Sequence, residues 1–268
     1  MSKTYTPRYL KEDKKKKRVL PKLIMLLFAA VFLVAGFMVA RYYVTAAKEQ
    51  KTVDELIALV EEEQQQESRD IGTVGDKSRS RFEILHEKNA DYFGWLSIDG
   101  TAVNYPVMFT PGDGEYYLHR DFYGDYSESG SLFMDGGCDP NGGYYLIYGH
   151  HMNSGAMFAA LPQYADRDFL RDHPTVTLET EKGRTDYMVF AAFYAEIFPD
   201  DDTEHYHYYD VKRLPDEAGF KDYIAHVRSM AVYDTGIIPT YGDKIIALST
   251  CNYHTENGRF VVVAVKKK

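Results

Sequence analysis

The fold is decided by the C-terminal stretch Ile245–Val265, which reads IIALSTCNYHTENGRFVVVAV. Two apolar runs rich in β-branched residues flank seven residues, most of them polar, that end in a glycine. This pattern predicts two buried strands joined by a short loop. Cys251 ends the first strand and Arg259 begins the second, so a thiol and a permanently charged guanidinium are predicted to lie beside each other on rigid backbone.

A second apolar run, Tyr144–His151, reads YYLIYGHH and predicts another buried strand, which ends in a glycine and two histidines. A single cysteine in an apolar strand is ordinarily a small core residue. A cysteine and a histidine that both stand at the ends of buried strands are instead the two parts of a thiolate nucleophile. A nearby imidazolium lowers the pKa of the thiol and can donate a proton to a departing amine.

Taken together, these residues resemble the sortases, the cysteine transpeptidases of Gram-positive cell surfaces, and most closely class B. The resemblance covers roughly residues 82–266. Each motif alone is weak, whereas the combination is specific. The motifs are LSTC at Leu248–Cys251 with Arg259 eight positions later, YGHH at Tyr148–His151, YYLH at Tyr116–His119, GSLFMD at Gly130–Asp135 and the closing run Arg259–Val265.

The resemblance implies catalytic roles for three residues. Cys251 is expected to attack a peptide carbonyl and form a thioacyl enzyme. His150 is expected to protonate the departing amine and then to deprotonate the incoming one. Arg259 is expected to hydrogen-bond the substrate backbone or the developing oxyanion. His151 is expected to point away from Cys251 and to be orienting or exposed, because adjacent side chains along a strand diverge.

Other positions match those that line the class B cleft. The substrate contacts that the resemblance implies are Leu118, Tyr148, Tyr206, Ser249, Thr250 and Asn252. For the aromatic residues among them, packing in a barrel is an equally good interpretation. Gly114 and Asn252 depart from the class B pattern, where polar or acidic residues can occur, so the sequence does not predict the exact sorting motif.

The implied activity is that of a membrane-anchored class B-like sortase. It would cleave the C-terminal sorting signal of a secreted protein after a threonine and join the new carboxyl to an amine of peptidoglycan, in a precursor or a cross-bridge. No cofactor is implied. Two alternatives are a pilin-polymerising sortase that uses a pilin lysine as acceptor, and a catalytically silent surface-binding module. The intact set of His150, Cys251 and Arg259 argues against the silent module.

Zinc is a competing interpretation of the histidines and the cysteine. The candidate ligands are Cys251, His254, His150, His151, His205 and His207. Such pairs arise easily in a chain with nine histidines, and no further cysteine supports them. A serine hydrolase acting through Ser249 is disfavoured, because this serine lies inside the predicted strand and lacks the glycine pattern of a nucleophile elbow.

Charge is distributed unevenly along the chain of 268 residues, whose net charge is −9. Residues 1–41 contain ten Lys and Arg but two Asp and Glu, whereas residues 42–268 contain 21 and 38. A strongly acidic main portion argues against nucleic-acid binding, which needs a basic surface. Of the two cysteines, Cys138 lies in a glycine-rich turn and is predicted to be an exposed thiol without a disulfide partner.

The run Leu23–Ala40 contains no charged residue, and as a helix it would be about 27 Å long, close to the thickness of a bilayer core. The basic residues before it predict a cytoplasmic N-terminus and an extracellular catalytic domain. A cleaved signal peptide is the alternative, disfavoured because the run is long and lacks a small-x-small site. The predicted segments are a basic tail 1–22, a membrane anchor 23–41, a helical stalk or linker 42–75 and a catalytic domain 76–268.

The remaining pattern predicts a mainly β fold. Short strands are predicted at 95–98, 102–107, 131–135, 144–148, 175–179 and 187–197, before the two terminal strands. Helices are predicted at 42–70, with Val53, Leu56, Ile57 and Val60 at helical spacing, and at 80–88, 157–164 and 215–230. About eight strands with few helices predict a closed or nearly closed β-barrel with peripheral helices, preceded by a single transmembrane helix. The resemblance implies the sortase barrel, with residues 198–241 as a helix-bearing loop beside the cleft.

Overall fold

A computed structural model describes residues 16–70, 79–214, 216–252, 255 and 257–268, and within the first range the side chains of residues 20–67. The chain forms two units, Met1–Ala47 and Lys48–Lys268. His254, one of the candidate zinc ligands, lies outside the described residues.

The described residues of the first unit form the beginning of helix α1, Lys16–Asp70. Among the described residues, α1 is the one helix that is long and apolar enough to cross a membrane by length and composition. Its most apolar window has a mean hydropathy of 2.8 and is not buried in the protein. The uncharged run Leu23–Ala40 therefore forms an exposed apolar helix, while its orientation across a membrane stays a prediction.

The second unit is built around a closed barrel of eight strands, as predicted. The strands are β1 Tyr92–Ser97, β2 Asn104–Met108, β3 Leu132–Met134, β4 Tyr144–Tyr148, β5 Thr175–Thr180, β6 Gly183–Glu196, β7 Ile245–Cys251 and β8 Gly258–Lys266. Around the barrel they follow the order β1-β2-β3-β4-β7-β8-β6-β5. The β2–β3 and β4–β7 pairs are parallel and the others are antiparallel.

Short helices surround the barrel. Helix α2, Arg81–Lys88, begins at a capping box in which the Ser80 hydroxyl accepts from the Glu83 amide and the Glu83 carboxylate accepts from the Ser80 amide. Helix α3 spans Arg167–Asp172, and α4 spans Glu217–Met230 with Asp216 as its N-cap. Three 3₁₀ helices span Tyr116–His119, Leu161–Ala165 and Tyr208–Asp210.

The predicted helix at 157–164 is wrong in its first half. Met157 has a φ of 55°, a left-handed conformation that does not continue a right-handed helix, and it forms a β-bridge with His151. A 3₁₀ helix begins only at Leu161. The amphipathic helix predicted at 215–230 is confirmed as α4, and its predicted apolar face is buried.

The core explains why β7 and β8 are almost continuously apolar. Ile245–Thr250 are all buried, and so are Phe260–Val265, so successive side chains on both faces of these strands are covered. Each fully buried aliphatic side chain contributes roughly 1.5–3 kcal/mol of transfer free energy. The burial of both strands therefore fixes the position of the end of β7.

The second half of α1 contributes to the same core. Val53, Leu56 and Val60 are buried in the same hydrophobic cluster as the barrel residues, at the helical spacing that the sequence predicted. This part of α1 is therefore packed against the domain. The division of the chain at residue 75 stays a prediction.

Cys138 is buried, with 4% of its surface exposed, so the predicted exposure of this thiol was wrong. Its amide donates to the Asp135 carbonyl oxygen over 3.0 Å in a tight turn. The aliphatic stem of Lys212 lies close to the neighbouring Gly137. Burial raises the pKa of the Cys138 thiol to about 11, and both cysteines are free.

Candidate active site

Cys251 and Arg259 lie opposite each other on the adjacent strands β7 and β8. The register of the β7–β8 ladder pairs them directly, after Thr250 with Phe260. Side chains of directly paired residues project from the same face of a sheet, with Cβ atoms about 4.5–5.5 Å apart. The Arg259 guanidinium donates to the carbonyl oxygen of Gly258 over 3.0 Å and to that of Asn257 over 3.4 Å. The thiol and the guanidinium thus share one rigid end of the barrel.

His150 follows the neighbouring strand β4, which runs parallel to β7 with Tyr148 opposite Ser249. Two hydrogen bonds continue this pairing beyond the strand end. The Gly149 amide donates to the Ser249 carbonyl oxygen over 3.2 Å, and the Thr250 hydroxyl donates to the Gly149 carbonyl oxygen over 2.8 Å. Both strand ends, and the residues mounted on them, are therefore tied together.

Gly149 is needed because the backbone is tightly enclosed there. A Cβ atom at this position would lie 2.4 Å from Leu132 Cδ2 and 2.8 Å from Phe158 Cδ2, closer than real Cβ atoms approach. The Phe158 amide donates to the His150 carbonyl oxygen over 2.9 Å. The backbone that leads into His150 is thereby fixed from both sides.

One cavity of about 620 Å³ brings most of the predicted site residues together. It is lined by His150, Cys251 and Arg259, and by four of the predicted substrate contacts, Leu118, Tyr148, Ser249 and Thr250. Gly114 also lies on its wall. A concave site of this size, with a few convergent polar groups, suits an extended peptide segment.

The His150 ring is half-buried beside the 3₁₀ helix Tyr116–His119. Its Nε2–H donates to the Leu118 carbonyl oxygen over 2.9 Å, and the His119 ring stacks on it with centroids 5.3 Å apart. Burial lowers the pKa of His150 below its usual value; the Leu118 carbonyl and the Glu49 carboxylate oppose this effect, and His119 adds to it. The shift favours the neutral imidazole, one of the two forms that a proton-transfer group must adopt.

His151 has a different environment. Its Nδ1–H donates to the Cys251 carbonyl oxygen over 3.1 Å, and its backbone bridges to Met157. His151 is not among the residues that line the cavity. It therefore connects the chain after β4 to the end of β7, which fits the predicted orienting role.

Ser249 and Tyr148 make polar contacts within the protein as well as lining the cavity. The Ser249 hydroxyl is buried and lies 2.8 Å from the Tyr208 hydroxyl. The Tyr148 hydroxyl donates to Asp135 Oδ2 over 3.3 Å, and the same carboxylate pairs with the Lys212 ammonium. The buried Ser249 hydroxyl thus links β7 to the segment after β6, an arrangement unlike an exposed serine nucleophile.

Two predicted substrate contacts are not on the cavity wall. The Tyr206 ring stacks on His226 of α4, with ring centroids 4.1 Å apart. The Asn252 amide donates to the Gly258 carbonyl oxygen over 2.9 Å and closes the loop between β7 and β8. Their roles in substrate binding stay predictions.

Several residues of the cavity wall were not predicted. They are Glu115, Asp135, Tyr209, Asp210 and Lys212, among others. Asp135 stands in the GSLFMD motif, so the sequence did carry a signal for it. Tyr209, Asp210 and Lys212 belong to the long segment between β6 and β7, where no periodic pattern indicates which side chains turn inward.

The candidate zinc ligands that the structure describes, all of them except His254, do not converge. His205 Nδ1 lies 3.0 Å from an Asp202 oxygen, and His207 Nε2 lies 3.4 Å from the other. These contacts are in the segment after β6, whereas His150 is at the cavity. In the described part of the chain, no group of three or more His, Cys, Asp or Glu side chains is arranged to hold a metal ion.

Comparison with known proteins shows the family of this chain. The sequence model of the Sortase domain family matches residues 96–267. Sortase B of Listeria monocytogenes is 35% identical over 204 residues, which cover 73% of this chain and 78% of that protein. Sortase B of Staphylococcus aureus is 28% identical over 190 residues, which cover 69% and 74%.

Solved structures of the same kind share the fold. A Staphylococcus aureus sortase B–substrate complex superposes with a TM-score of 0.67 and 26% identity, over 83% of this chain and 98% of that one. Sortase B from Listeria monocytogenes gives a TM-score of 0.58 and 33% identity, over 68% and 97%. Clostridium perfringens sortase B gives 0.61 and 26%, over 69% and 99%.

Proposed function

This chain belongs to the sortase family of cysteine transpeptidases, within class B, and we propose that it cleaves the C-terminal sorting signal of secreted proteins and joins the new carboxyl to a peptidoglycan amine. The observation that carries the proposal is the shared cavity of His150, Cys251 and Arg259. These side chains stand on three neighbouring strand ends, β4, β7 and β8, whose hydrogen-bonded register fixes their spacing.

The first half-reaction uses Cys251 as the nucleophile. Its thiolate attacks the carbonyl carbon of the residue before the scissile bond, and the resulting oxyanion is stabilised by Arg259. When the tetrahedral intermediate collapses, the C–N bond breaks and His150 donates a proton to the departing amine. The product is a thioacyl enzyme with the new C–S bond on Cys251.

The second half-reaction reverses these roles. The acceptor amine attacks the thioacyl carbon while His150, now neutral, removes its proton. The C–S bond breaks, a new amide forms, and the thiolate and imidazolium are regenerated. The lowered pKa of His150 favours the neutral imidazole, the form that removes the proton of the acceptor amine in this step.

The peptide is proposed to lie along the cavity. Leu118 supplies an apolar wall, while Tyr148 and Thr250 lie toward the strand ends. The Staphylococcus aureus neighbour is described as a substrate complex, and the likeness of the two folds supports a peptide site in the same place. Tyr206 and Asn252 would reach substrate only outside the described cavity.

Membrane anchoring is proposed from α1. The chain would have its tail, residues 1–22, in the cytoplasm, its anchor at 23–41, a connecting helical segment at 42–75 and its catalytic domain, 76–268, outside the cell. The basic tail before an exposed apolar helix supports this orientation. Protease added to intact protoplasts should digest the domain and spare the tail; a released form starting near Tyr42 would instead identify a cleaved signal.

The activity is tested with the full chain in detergent micelles. Quenched peptides with a threonine before the scissile bond should be cleaved, and a thioacyl form of Cys251 should be seen by mass spectrometry. A cross-bridge or stem-peptide amine should accelerate turnover and appear in the product. Preferential transfer to a lysine within a folded pilin domain would favour pilus assembly, and failure to form any thioacyl enzyme would favour a silent binding module.

A further inference from the structure

Glu49 of α1 is bound to a turn of the domain far from it in sequence. Its Oε1 accepts hydrogen bonds from the Ser127 hydroxyl over 2.8 Å, the Glu128 amide over 2.7 Å and the Ser129 amide over 3.3 Å. Ser127 and Ser129 are each 3% exposed. Hydrogen bonds to an ionised carboxylate are stronger than neutral ones. A single carboxylate thus fixes the position of the turn relative to α1.

The same turn packs on the backbone of the 3₁₀ helix Tyr116–His119. The Ser127 amide donates to the His119 carbonyl oxygen over 3.1 Å, and the Ser131 amide donates to the Tyr117 carbonyl oxygen over 3.1 Å. Between them, Gly130 has a φ of 58°, and a Cβ atom there would lie 2.2 Å from the Leu118 carbonyl oxygen. The turn therefore lies directly against the peptide group of Leu118.

Leu118 and His119 are also the residues that contact the His150 ring. The Leu118 carbonyl oxygen accepts from His150 Nε2–H over 2.9 Å, and the His119 ring stacks on the imidazole. The series of contacts runs from Glu49 through the Ser127–Ser129 turn to Leu118 and then to the imidazole. Every step is a hydrogen bond or a close van der Waals contact.

A second contact from α1 reaches the other side of the histidine. The Tyr105 hydroxyl donates to Gln50 Oε1 over 3.4 Å and accepts from the Met157 amide over 3.2 Å. Met157 bridges to His151, and the next residue donates to the His150 carbonyl oxygen. Adjacent residues of one helix, Glu49 and Gln50, therefore support the segments on both sides of His150.

We propose that Glu49 is a positioning residue for His150: by holding the Ser127–Ser129 turn, it holds the Leu118 carbonyl that orients the imidazole toward the cavity. This inference rests on the proposed role of His150 in proton transfer. It makes α1 part of the catalytic arrangement, in addition to its packing in the core. A small displacement of a proton-transfer group reduces turnover strongly, because the geometry of approach is lost.

The charge of Glu49 adds a second effect. The charged or titratable neighbours that shift the pKa of His150 are Glu49 on α1 and His119 beside the ring. The other charged or titratable side chains on the wall of the cavity are Glu115, Asp135, Asp210, Lys212, Cys251 and Arg259. The Glu49 carboxylate raises the pKa of His150 against the larger lowering by burial. Removal of this charge should therefore lower the pKa of the imidazole further.

The test uses full-length variants in detergent micelles with the quenched-peptide transfer assay. Glu49→Ala removes both the acceptor and the charge and should lower kcat by about 10- to 100-fold with little change in KM. Glu49→Gln keeps an oxygen acceptor and should lose less. When kcat/KM of Glu49→Gln is plotted against pH, the limb that reports the titration of His150 should move to lower pH, and the other limb should stay in place.

Two controls separate positioning from stability. Glu55→Gln removes an exposed carboxylate on the same helix, where it pairs with Lys51 over 2.9 Å, and should leave kcat and the pH profile unchanged. Val60→Ala removes buried apolar atoms from α1, away from the turn, and should lower the thermal midpoint without lowering kcat of the folded enzyme. The proposal is overturned if Glu49→Ala behaves like Val60→Ala, with a lower midpoint and a normal kcat.

His150→Ala in the same assay distinguishes the two levels of inference. An inactive His150→Ala together with a normal Glu49→Ala would overturn the positioning role alone. An active His150→Ala would overturn the proposed proton transfer, and the positioning role with it. A lower kcat in both His150→Ala and Glu49→Ala, together with the shift of the pH limb in Glu49→Gln, would support proton transfer by His150 and its positioning by Glu49.

Discussion

Cys251 is the direct cross-strand partner of Arg259 in the antiparallel ladder between β7 and β8. The pairing places the thiol and the guanidinium on one face of the sheet, at the end where the strands open into the cavity. A slip of one residue in the register would turn Arg259 to the opposite face.

Replacement of Cys251 tests the nucleophile. Cys251→Ala should abolish peptide cleavage and thioacyl formation without unfolding the domain, because the side chain is only half-buried at a strand end. Cys138→Ala is the matched control: it should retain kcat/KM but lower the free energy of unfolding by about 1–2 kcal/mol, because it leaves a small cavity. Mass spectrometry of trapped enzyme and urea unfolding measure the two effects. Equal loss of turnover in both variants would point to a different site.

Substitution of Arg259 tests whether the guanidinium acts through its shape. Arg259→Lys keeps the charge but loses the planar set of donors, so kcat/KM should fall by about 10²–10³-fold, and Arg259→Ala should be no better. Arg184→Lys, at an arginine that pairs with Asp186 outside the cavity, serves as the control and should be normal. If Arg259→Lys had full activity, the residue would be acting as a point charge alone.

The sequence predicted the barrel well because its strongest signals are local. Strands can be recognised from the β-branched runs of β7 and β8 and from the close spacing of turns along the chain, without knowing which strands pair. The helical spacing in α4 likewise predicted its buried face. The resemblance then identified His150, Cys251 and Arg259, and the structure places all three at one cavity.

The errors have non-local causes. Cys138 was predicted to be exposed because its turn is rich in glycine, but its side chain packs in the core, near Tyr223 of α4, which is far from it in sequence. The helix predicted from Met157 does not form there because this residue bridges to His151 in a left-handed conformation. The link from Glu49 to the Ser127–Ser129 turn joins residues about eighty positions apart, and no local pattern indicates it.

A methyl group at Gly149 tests the enclosure of the backbone before His150. Gly149→Ala should lower the free energy of unfolding by about 1–3 kcal/mol, because the new Cβ overlaps Leu132 and Phe158. Turnover should fall as well, since His150 is displaced. Gly143→Ala is the matched control: a Cβ there meets no atom within 4 Å. Similar thermal midpoints for the two variants would show that the site relaxes easily.

The two histidines should differ sharply in a transfer assay. His150→Ala should lose about 10²–10⁴-fold in turnover, the usual contribution of general acid–base catalysis. His151→Ala loses one hydrogen bond to the Cys251 carbonyl oxygen, so it should remain active and lose about 1 kcal/mol of stability. Thioacyl trapping and thermal unfolding report the two quantities. An inactive His151→Ala beside an active His150→Ala would reverse the assignment.

The lowered pKa of His150 also predicts how stability depends on pH. Because burial is the main cause of the shift, the folded state binds fewer protons at this site than the unfolded state, whose histidine titrates near 6.5. Stability therefore rises with pH across the interval between the folded and unfolded pKa values, and is lost as pH falls through it.

His150→Gln tests this dependence, because its side chain cannot titrate while its amide can still donate to the Leu118 carbonyl oxygen. The free energy of unfolding of wild type minus that of His150→Gln should thus decrease as the solution is acidified below about pH 6.5 and stay constant above it. Urea unfolding of both proteins at several pH values measures this difference, and the other histidines cancel in the subtraction. A difference that increases on acidification would mean that the folded state favours the imidazolium, contrary to an imidazole whose burial outweighs the neighbouring carbonyl and carboxylate.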